Sequence, residues 1–143
     1  MSRYIPVEVE RRVRSLAGHC CGYCLAPQHL LNLRLEIEHI LPVARGGSDE
    51  EENLWLSCRP CIGAKSAQVQ GFDRITGSYA QLYNPRSQSW SHHFKWSEDG
   101  AYIIGRTARG RVTVAALNLN NEIAANVRRS WLSVGWHPPQ DTV

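Results

Sequence analysis

The chain has 143 residues, of which 43% are hydrophobic and 20% charged, and its mean hydropathy is −0.36. These values indicate one globular domain with a real core, or one domain with an appendage. No apolar run is long enough to span a bilayer, and the N-terminus lacks the apolar stretch of a signal peptide. We therefore expect a cytoplasmic protein with access to nucleic acid and no membrane partner.

The net charge of +3 is unevenly distributed along the chain. Residues 1–73 contain eight Lys and Arg against nine Asp and Glu, whereas residues 74–143 contain eight against four. A basic second half favours a polyanion lying along the C-terminal part. Uneven charge on a solvated surface explains the same pattern equally well.

An N-terminal helix is the first predicted element. Pro6 fits the first turn of a helix, where its missing N–H is no loss. Val9 and Val13 recur at helical spacing, and Gly18 can end the helix. We expect this helix over residues 6–17.

Two strands and a helix are predicted next. Residues 35–40 alternate apolar and polar side chains, as a half-buried strand does, and Pro42 breaks the pattern. Residues 54–57 form a second short strand, and a helix runs from residue 60 to about residue 70. Strand, loop, strand and helix in this order make a ββα unit.

The second half is predicted to contain a β-hairpin and a helix. Residues 73–88 have no clear pattern, whereas residues 90–96 and 101–106 favour a hairpin. Asn120 or Asn121 can cap a final helix, on one face of which lie Ile123, Val127, Trp131 and Val134. The expected fold class is α+β, with a ββα core in domain 1–72 and a basic extension, domain 73–143, packed on it.

The spacing of the cysteines predicts a structural zinc site. Cys21-x-x-Cys24 and Cys58-x-x-Cys61 supply four thiolates, the number that tetrahedral zinc requires. Five cysteines in a cytoplasmic chain point to metal or reactivity rather than disulfides. The small ββα unit needs such a crosslink, because a bound zinc ion adds folding free energy directly. Cys20 is left over, either as a small buried side chain or as a reactive thiol.

Between the two cysteine pairs lie residues suited to phosphodiester hydrolysis. His39 is of the residue type that acts as a general base near neutral pH, and Glu38 is a hard oxygen donor for Mg²⁺ or Mn²⁺. Asn53 can bond to loop backbone and fix its shape. Adjacent strand residues face opposite ways, so Glu38 and His39 can meet one phosphate only where the strand ends or twists.

These residues resemble the HNH endonuclease family, also called ββα-metal or His-Me finger nucleases. The resemblance is specific from Cys21 to Ser66. The second half of the chain resembles a bacterial subgroup of the family that is common in cyanobacteria. This likeness is general only, and it includes the segments Tyr83-Asn84-Pro85-Arg86 and Trp136-His137-Pro138-Pro139. The specific part of the pattern comprises the two CxxC pairs, Glu38-His39, Pro42, Gly46-Gly47, Glu52-Asn53-Leu54 and Lys65.

The resemblance implies that Glu38 binds a catalytic metal, His39 is the general base and Asn53 orders the loop. The metal would stabilise the departing 3′ oxygen and leave a 5′ phosphate. Ile62 departs from the family, which has an Asn or His ligand at this position. Another donor replaces it (Ser66, His92 and His93 are candidates), or the metal binds through Glu38, phosphate and water, or the site has decayed.

Basic side chains are the predicted nucleic-acid contacts. Lys65 matches a helix lysine of the family. The arginines at 106, 109 and 111 are better candidates for phosphate contacts than the tryptophans of the second half are for base stacking. Trp90 and Trp96 are more easily explained by core packing than by base stacking. The predicted contacts, with DNA and possibly RNA, are Arg59, Lys65, Arg86, Arg106, Arg109 and Arg111.

Two functions therefore compete. The first is an endonuclease that cleaves DNA with His39 and one divalent metal ion. The second is a decayed HNH module that serves as a zinc-stabilised nucleic-acid-binding or protein-interaction subunit.

Overall fold

A computed structural model describes residues 4–139. Residues 1–3 and 140–143, the ends of the predicted domains, lie outside the described residues. Within the described range the chain forms two compact units, one of residues 4–69 with 84–87 and one of residues 70–83 with 88–139. The predicted domain boundary at residue 72, and the packing of residues 73–143 on the core, stay predictions.

Helices and small antiparallel sheets alternate in both units, which confirms the predicted α+β class. Within residues 4–139, every helix is too short or too polar to cross a lipid bilayer. Each sheet has two strands, so helices and loops must cover the sheet faces to make a core.

The first unit opens with helix α1 (Val7–Leu16), as predicted. Pro6 precedes it in an extended conformation, and the first turn carries Glu8 and Glu10, which interact favourably with the helix dipole. Val13 is completely buried. Burial of this one apolar position anchors the helix to the unit.

The ββα unit follows, built from β1 (Glu36–His39), β2 (Leu54–Ser57) and α2 (Arg59–Lys65). The strands are antiparallel, and His39 pairs with Leu54. Helix α2 ends earlier than predicted. Ser66 adopts a positive φ of 50°, a conformation that a helix cannot continue.

The loop between β1 and β2 is compact. The Ile40 amide donates to the Asn53 carbonyl (2.8 Å), which extends the strand pairing by one bond. At Gly47, a Cβ atom would lie 1.7 Å from the Leu41 carbonyl oxygen. Only glycine fits at Gly47, and Gly46 adopts a φ of 89°, which favours glycine, so the loop uses both residues of the pair.

The second unit begins with a hairpin that the sequence did not reveal. Strands β3 (Gln70–Asp73) and β4 (Ser78–Gln81) pair where no regular structure was predicted. Phe72 and Tyr79 face each other across the pair but are largely exposed. Because the hairpin buries little apolar surface, it lacks the alternation on which strand prediction depends.

The hairpin predicted over residues 90–106 is the second hairpin of the structure. Its two strands are confirmed, but residues 90–93, predicted as strand, form a helical turn. Helix α3 (Trp90–His93) precedes β5 (Phe94–Trp96), which pairs with β6 (Ile103–Gly105). The ring of Trp90 is buried and lies 5.2 Å from Phe94 and 5.1 Å from Trp96, centroid to centroid. Both tryptophans therefore pack in this unit, as expected.

The sequence predicts only a short helical turn here, with Thr113 as its cap, but helix α4 (Ala108–Ala116) occupies the segment. Its cap is Thr107, whose Oγ1 accepts a hydrogen bond from the Gly110 amide (3.0 Å). Thr113, the predicted cap, is buried within the helix and donates to the Arg109 carbonyl. The helix packs on β3 and β6.

Helix α5 (Glu122–Ser133) is capped by Asn121, as predicted, but buries the opposite face to the one expected. Its buried residues are Ala125 and Arg128, whereas Ile123 is 77% exposed. The sequence predicts a solvated position for Arg128, as part of the basic pair Arg128-Arg129. Instead it lies over the Trp96 ring (5.7 Å) and donates to the carbonyls of Ala101 (3.0 Å) and Leu119 (2.8 Å).

Replacing Arg128 with Ala is expected to lower the free energy of unfolding by about 3 kcal/mol, since two buried carbonyls lose their donors. Arg129→Ala is the matched control, because this neighbouring side chain is exposed, and it should cost less than about 1 kcal/mol. Urea unfolding followed by tryptophan fluorescence measures both. Equal losses would contradict the assigned role of Arg128.

Candidate functional site

The four predicted cysteine ligands come together in the first unit. The sulfur atoms of Cys21, Cys24, Cys58 and Cys61 all lie within 4.8 Å of one another. The first pair lies in a turn closed by a hydrogen bond from the Leu25 amide to the Cys21 carbonyl (3.0 Å). The second pair is at the start of α2. The structure thus brings two distant turns to one point.

The spacing of the sulfurs fits a tetrahedral metal. Cys24 Sγ and Cys58 Sγ are 3.7 Å apart. Four Zn–S bonds of about 2.3 Å imply an edge of about 3.8 Å. Burial raises the pKa of Cys21, but hydrogen bonds from the other three thiols outweigh it and lower that pKa well below its ordinary value. Cys21 is therefore the thiol that most readily becomes a thiolate, the form that binds metal, whereas hydrogen bonds with Cys21 raise the pKa of Cys24 and of Cys61 well above its ordinary value.

Glycine is needed in the first cysteine turn. A Cβ atom on Gly22 would lie 2.4 Å from the Trp55 ring, and the Gly22 amide donates to the Leu56 carbonyl (2.8 Å). This close approach holds the turn against β2. Cys20 takes no part in the cluster, and its half-exposed thiol lies 3.3 Å from the Gly18 carbonyl oxygen.

Glu38 lies on the buried face of β1. Its Oε2 accepts a hydrogen bond from the Tyr23 hydroxyl (2.6 Å), and its Oε1 is 3.1 Å from the Lys65 ammonium. Burial raises the pKa of the Glu38 carboxyl, while the charge of Lys65 and the Tyr23 hydrogen bond act to lower it. Both carboxylate oxygens are therefore engaged by other residues of the unit.

Lys65 joins the end of β1 to α2. Besides Glu38, its ammonium contacts the carbonyl oxygens of His39 (3.2 Å) and Ile40 (2.9 Å), and its side chain is only 4% exposed. A phosphate contact at Lys65 would require the ammonium to leave these three oxygens. The geometry gives Lys65 a structural role at the corner where β1 ends.

His39 lies on the other face of β1, so the strand separates it from the Glu38 carboxylate, as alternation predicts. Its Nε2 is 2.8 Å from Oδ1 of Asp49, and its side chain is 21% exposed. Asp49 was not predicted as a site residue. In the sequence it belongs to an acidic run that a solvated loop explains, and only the folded loop brings it to the ring.

Asn53 makes three hydrogen bonds to the loop backbone. Its Oδ1 accepts from the Leu41 amide (2.8 Å), and its Nδ2 donates to the carbonyls of Leu41 (3.1 Å) and Ser48 (2.9 Å). Asn53 thus connects the start of the loop, at Leu41, to a later part of it, at Ser48. The geometry is what a loop-ordering role for Asn53 requires.

The described residues do not present a ready site for a catalytic metal. In residues 4–139, the cysteine cluster is the one group of three or more His, Cys, Asp or Glu side chains with ligand atoms close enough to share an ion. Glu38 is engaged by Tyr23 and Lys65, and Ile62 in α2 carries no donor atom. Glu38 as a ligand of Mg²⁺ or Mn²⁺ therefore stays a prediction.

Three side chains were candidates to replace the missing ligand. Ser66 is exposed at the end of α2, in the first unit. His92 and His93 belong to α3 of the second unit, where His93 Nδ1 is 2.6 Å from Thr107 Oγ1. Burial lowers the pKa of His93, and the nearby His92 and Arg109 lower it further.

Two of the predicted nucleic-acid contacts remain accessible in the first unit. Arg59 is 64% exposed, with Glu36 as its neighbour at 3.6 Å. Arg86 lies over the Trp55 ring (5.5 Å) and donates to the Leu54 carbonyl (3.2 Å), which leaves it half-exposed. Arg59 is thus the freer of the two positive charges.

The other three predicted contacts lie around the start of α4. Arg106 is exposed and donates to the Ser91 carbonyl (2.9 Å), and Arg109 is half-buried. Arg111 forms a bidentate pair with Asp73 (2.8 and 3.0 Å), which holds the pKa of Asp73 well below its ordinary value. Asp73 neutralises Arg111, so Arg106 and Arg109 are the two of these three predicted contacts that keep a net positive charge.

The comparison with known families agrees with this geometry. Residues 21–68 match the family model described as HNH endonuclease. The matched segment contains all four cysteines, both strands of the ββα unit and α2. Neither a curated protein nor a solved structure matches the chain.

We expect one zinc ion per chain in purified wild-type protein, measured by metal analysis. Cys61→Ser should lose it and unfold the first unit, because the ion's binding free energy is also folding free energy. Cys20→Ser is the matched control and should retain both metal and fold. Wild-type protein without zinc, or equal loss in the two variants, would contradict the assignment.

Proposed function

We infer from the HNH domain in residues 21–68 that this protein is a nuclease that hydrolyses phosphodiester bonds in DNA. The observation that carries the proposal is the position of His39. Its ring is partly exposed at the end of β1. Asn53 bonds to the backbone of the adjacent loop, and the Lys65 ammonium contacts the carbonyl of His39 itself. A general base needs such a fixed and accessible place.

In the proposed reaction, His39 accepts a proton from the water that attacks phosphorus. The cysteine cluster holds α2 and the first turn in place, so that the end of β1 keeps its geometry. Arg59 supplies an exposed positive charge in the same unit, and Arg106 and Arg109 supply charge in the other. These arginines suit a phosphate backbone, whose affinity is mainly electrostatic.

Mg²⁺ or Mn²⁺ would supply charge stabilisation at the phosphoryl and leaving oxygens. The described residues do not fit a preformed site for it, since the oxygens of Glu38 already have partners. The part that this chain's own residues can perform is proton transfer at His39 and binding of the backbone. Reduced cysteines in the cluster suit the expected cytoplasmic location.

The lack of a preformed catalytic metal site among the described residues favours a second function. Ile62 has no donor atom, and Glu38 is buried between Tyr23 and Lys65. A domain with these features suits a zinc-stabilised module that binds nucleic acid, or a partner protein, without cutting. Such a module would bind DNA with strong salt dependence and would not cleave it, whichever divalent metal is added.

Plasmid nicking in Mg²⁺, Mn²⁺ and Ni²⁺ tests the first function. His39→Ala should lower the cleavage rate at least about 100-fold, the usual contribution of a general base. Zinc content and melting temperature of the variant must equal those of wild type. Equal cleavage by both proteins would remove His39 from the mechanism.

Ile62→Asn separates the two functions, because it restores an oxygen donor at the family's ligand position. If the wild-type domain is a decayed module, the variant should gain metal-dependent cleavage of at least about tenfold over wild type. Ile62→Val, which keeps the position apolar, is the control. A wild type that cuts as fast as Ile62→Asn would exclude decay.

A further inference from the structure

The imidazole of His39 has a carboxylate partner that the family resemblance did not assign. Asp49, ten residues further along the chain, places Oδ1 2.8 Å from His39 Nε2. Within residues 4–139, this is the one hydrogen bond made by the ring of His39. Both side chains are partly exposed, 21% for His39 and 32% for Asp49, so substrate and water can reach them.

The loop holds this carboxylate in place from both sides. Asn53 Nδ2 donates to the carbonyl of Ser48, the residue before Asp49 (2.9 Å). The Gly47 amide donates to the Pro42 carbonyl (3.0 Å), and the Glu50 amide donates to Ser48 Oγ (3.2 Å). Because the backbone on each side of Asp49 is hydrogen-bonded, the loop fixes the point from which this side chain reaches the His39 ring.

We propose that Asp49 is a positioning residue of the nuclease, an inference that rests on the proposed function. Its carboxylate accepts the Nε2 proton of neutral His39 and so leaves the lone pair of Nδ1 as the proton acceptor. A carboxylate can only accept here, which decides the tautomer of the ring.

In the proposed step the proton passes from the attacking water to His39. Nδ1 takes a proton from the attacking water, the resulting hydroxide bonds to phosphorus, and the P–O3′ bond breaks. The departing 3′ oxygen takes a proton from solvent. His39 is an imidazolium at this stage, and the negative charge of Asp49 stabilises it until the ring returns its proton to solvent.

The competing explanation is that Asp49 merely ties the loop to the strand. The two explanations differ for Asp49→Asn. Asn keeps an oxygen that can accept from Nε2–H, so a loop tie would survive. Asn lacks the negative charge, and its amide can donate to Nε2 and shift the ring proton to Nδ1, so a positioning role would be lost.

The test compares wild type, Asp49→Asn and Glu52→Gln. Glu52 is an exposed carboxylate of the same loop, so its variant removes one negative charge and leaves the hydrogen bond between Asp49 and His39 in place. We expect Asp49→Asn to lower kcat at least about 100-fold with KM changed less than about threefold. Glu52→Gln should leave both constants at wild-type values. Zinc content and melting temperature identify any variant that has failed to fold.

Nitrogen-15 NMR of the histidine ring gives a readout that does not depend on activity. His39 is assigned by its absence from the spectrum of His39→Ala, at a pH where the ring is neutral. We expect the Nε2–H tautomer in wild type and in Glu52→Gln, and a shift towards Nδ1–H in Asp49→Asn. A wild-type ring protonated on Nδ1 would overturn the proposal even if Asp49→Asn did not fold.

The outcomes separate this proposal from the proposed function. If wild type cleaves DNA and Asp49→Asn cleaves equally fast, the positioning role is wrong and the nuclease stands. If wild type cleaves in none of the three metals, the nuclease is wrong. In that case the NMR result still decides whether Asp49 selects the tautomer of His39.

Discussion

The first unit depends on the meeting of four sulfur atoms. Thirty-three residues separate Cys24 from Cys58, and the four sulfurs nevertheless lie within one metal's reach. Two short strands and a helix of two turns bury too little apolar surface to hold one another alone. A shared ion would crosslink them and so hold β1, β2 and α2 together.

The buried contact of Glu38 with Lys65 and Tyr23 is the second constraint. A buried ion pair seldom contributes much net stability, but it specifies geometry, since each partner is costly to leave unpaired. Lys65 also contacts the carbonyl of His39, so the pair defines where β1 ends. That corner turns Glu38 inward and His39 outward, which is why the proposed chemistry centres on the histidine.

Local pattern explains what could be predicted from the sequence and what could not. The strands of the ββα unit alternate clearly, and Asn121 caps its helix by a bond to its own neighbour, so both were predictable. Burial of α5 was not. Periodicity placed Ile123 inside, whereas Arg128 is buried because its guanidinium finds carbonyls and the Trp96 ring, partners from elsewhere in the chain.

Spacing and alternation are local properties of the chain, so the α+β class, the four clustered cysteines and the order of the ββα unit can be predicted without a structure. The burial of Lys65 and the contact of Asp49 with His39 appear only in the folded chain. Such pairings depend on how a loop closes and which face a strand buries. These are outcomes of packing between residues far apart in sequence, and no short-range pattern records them.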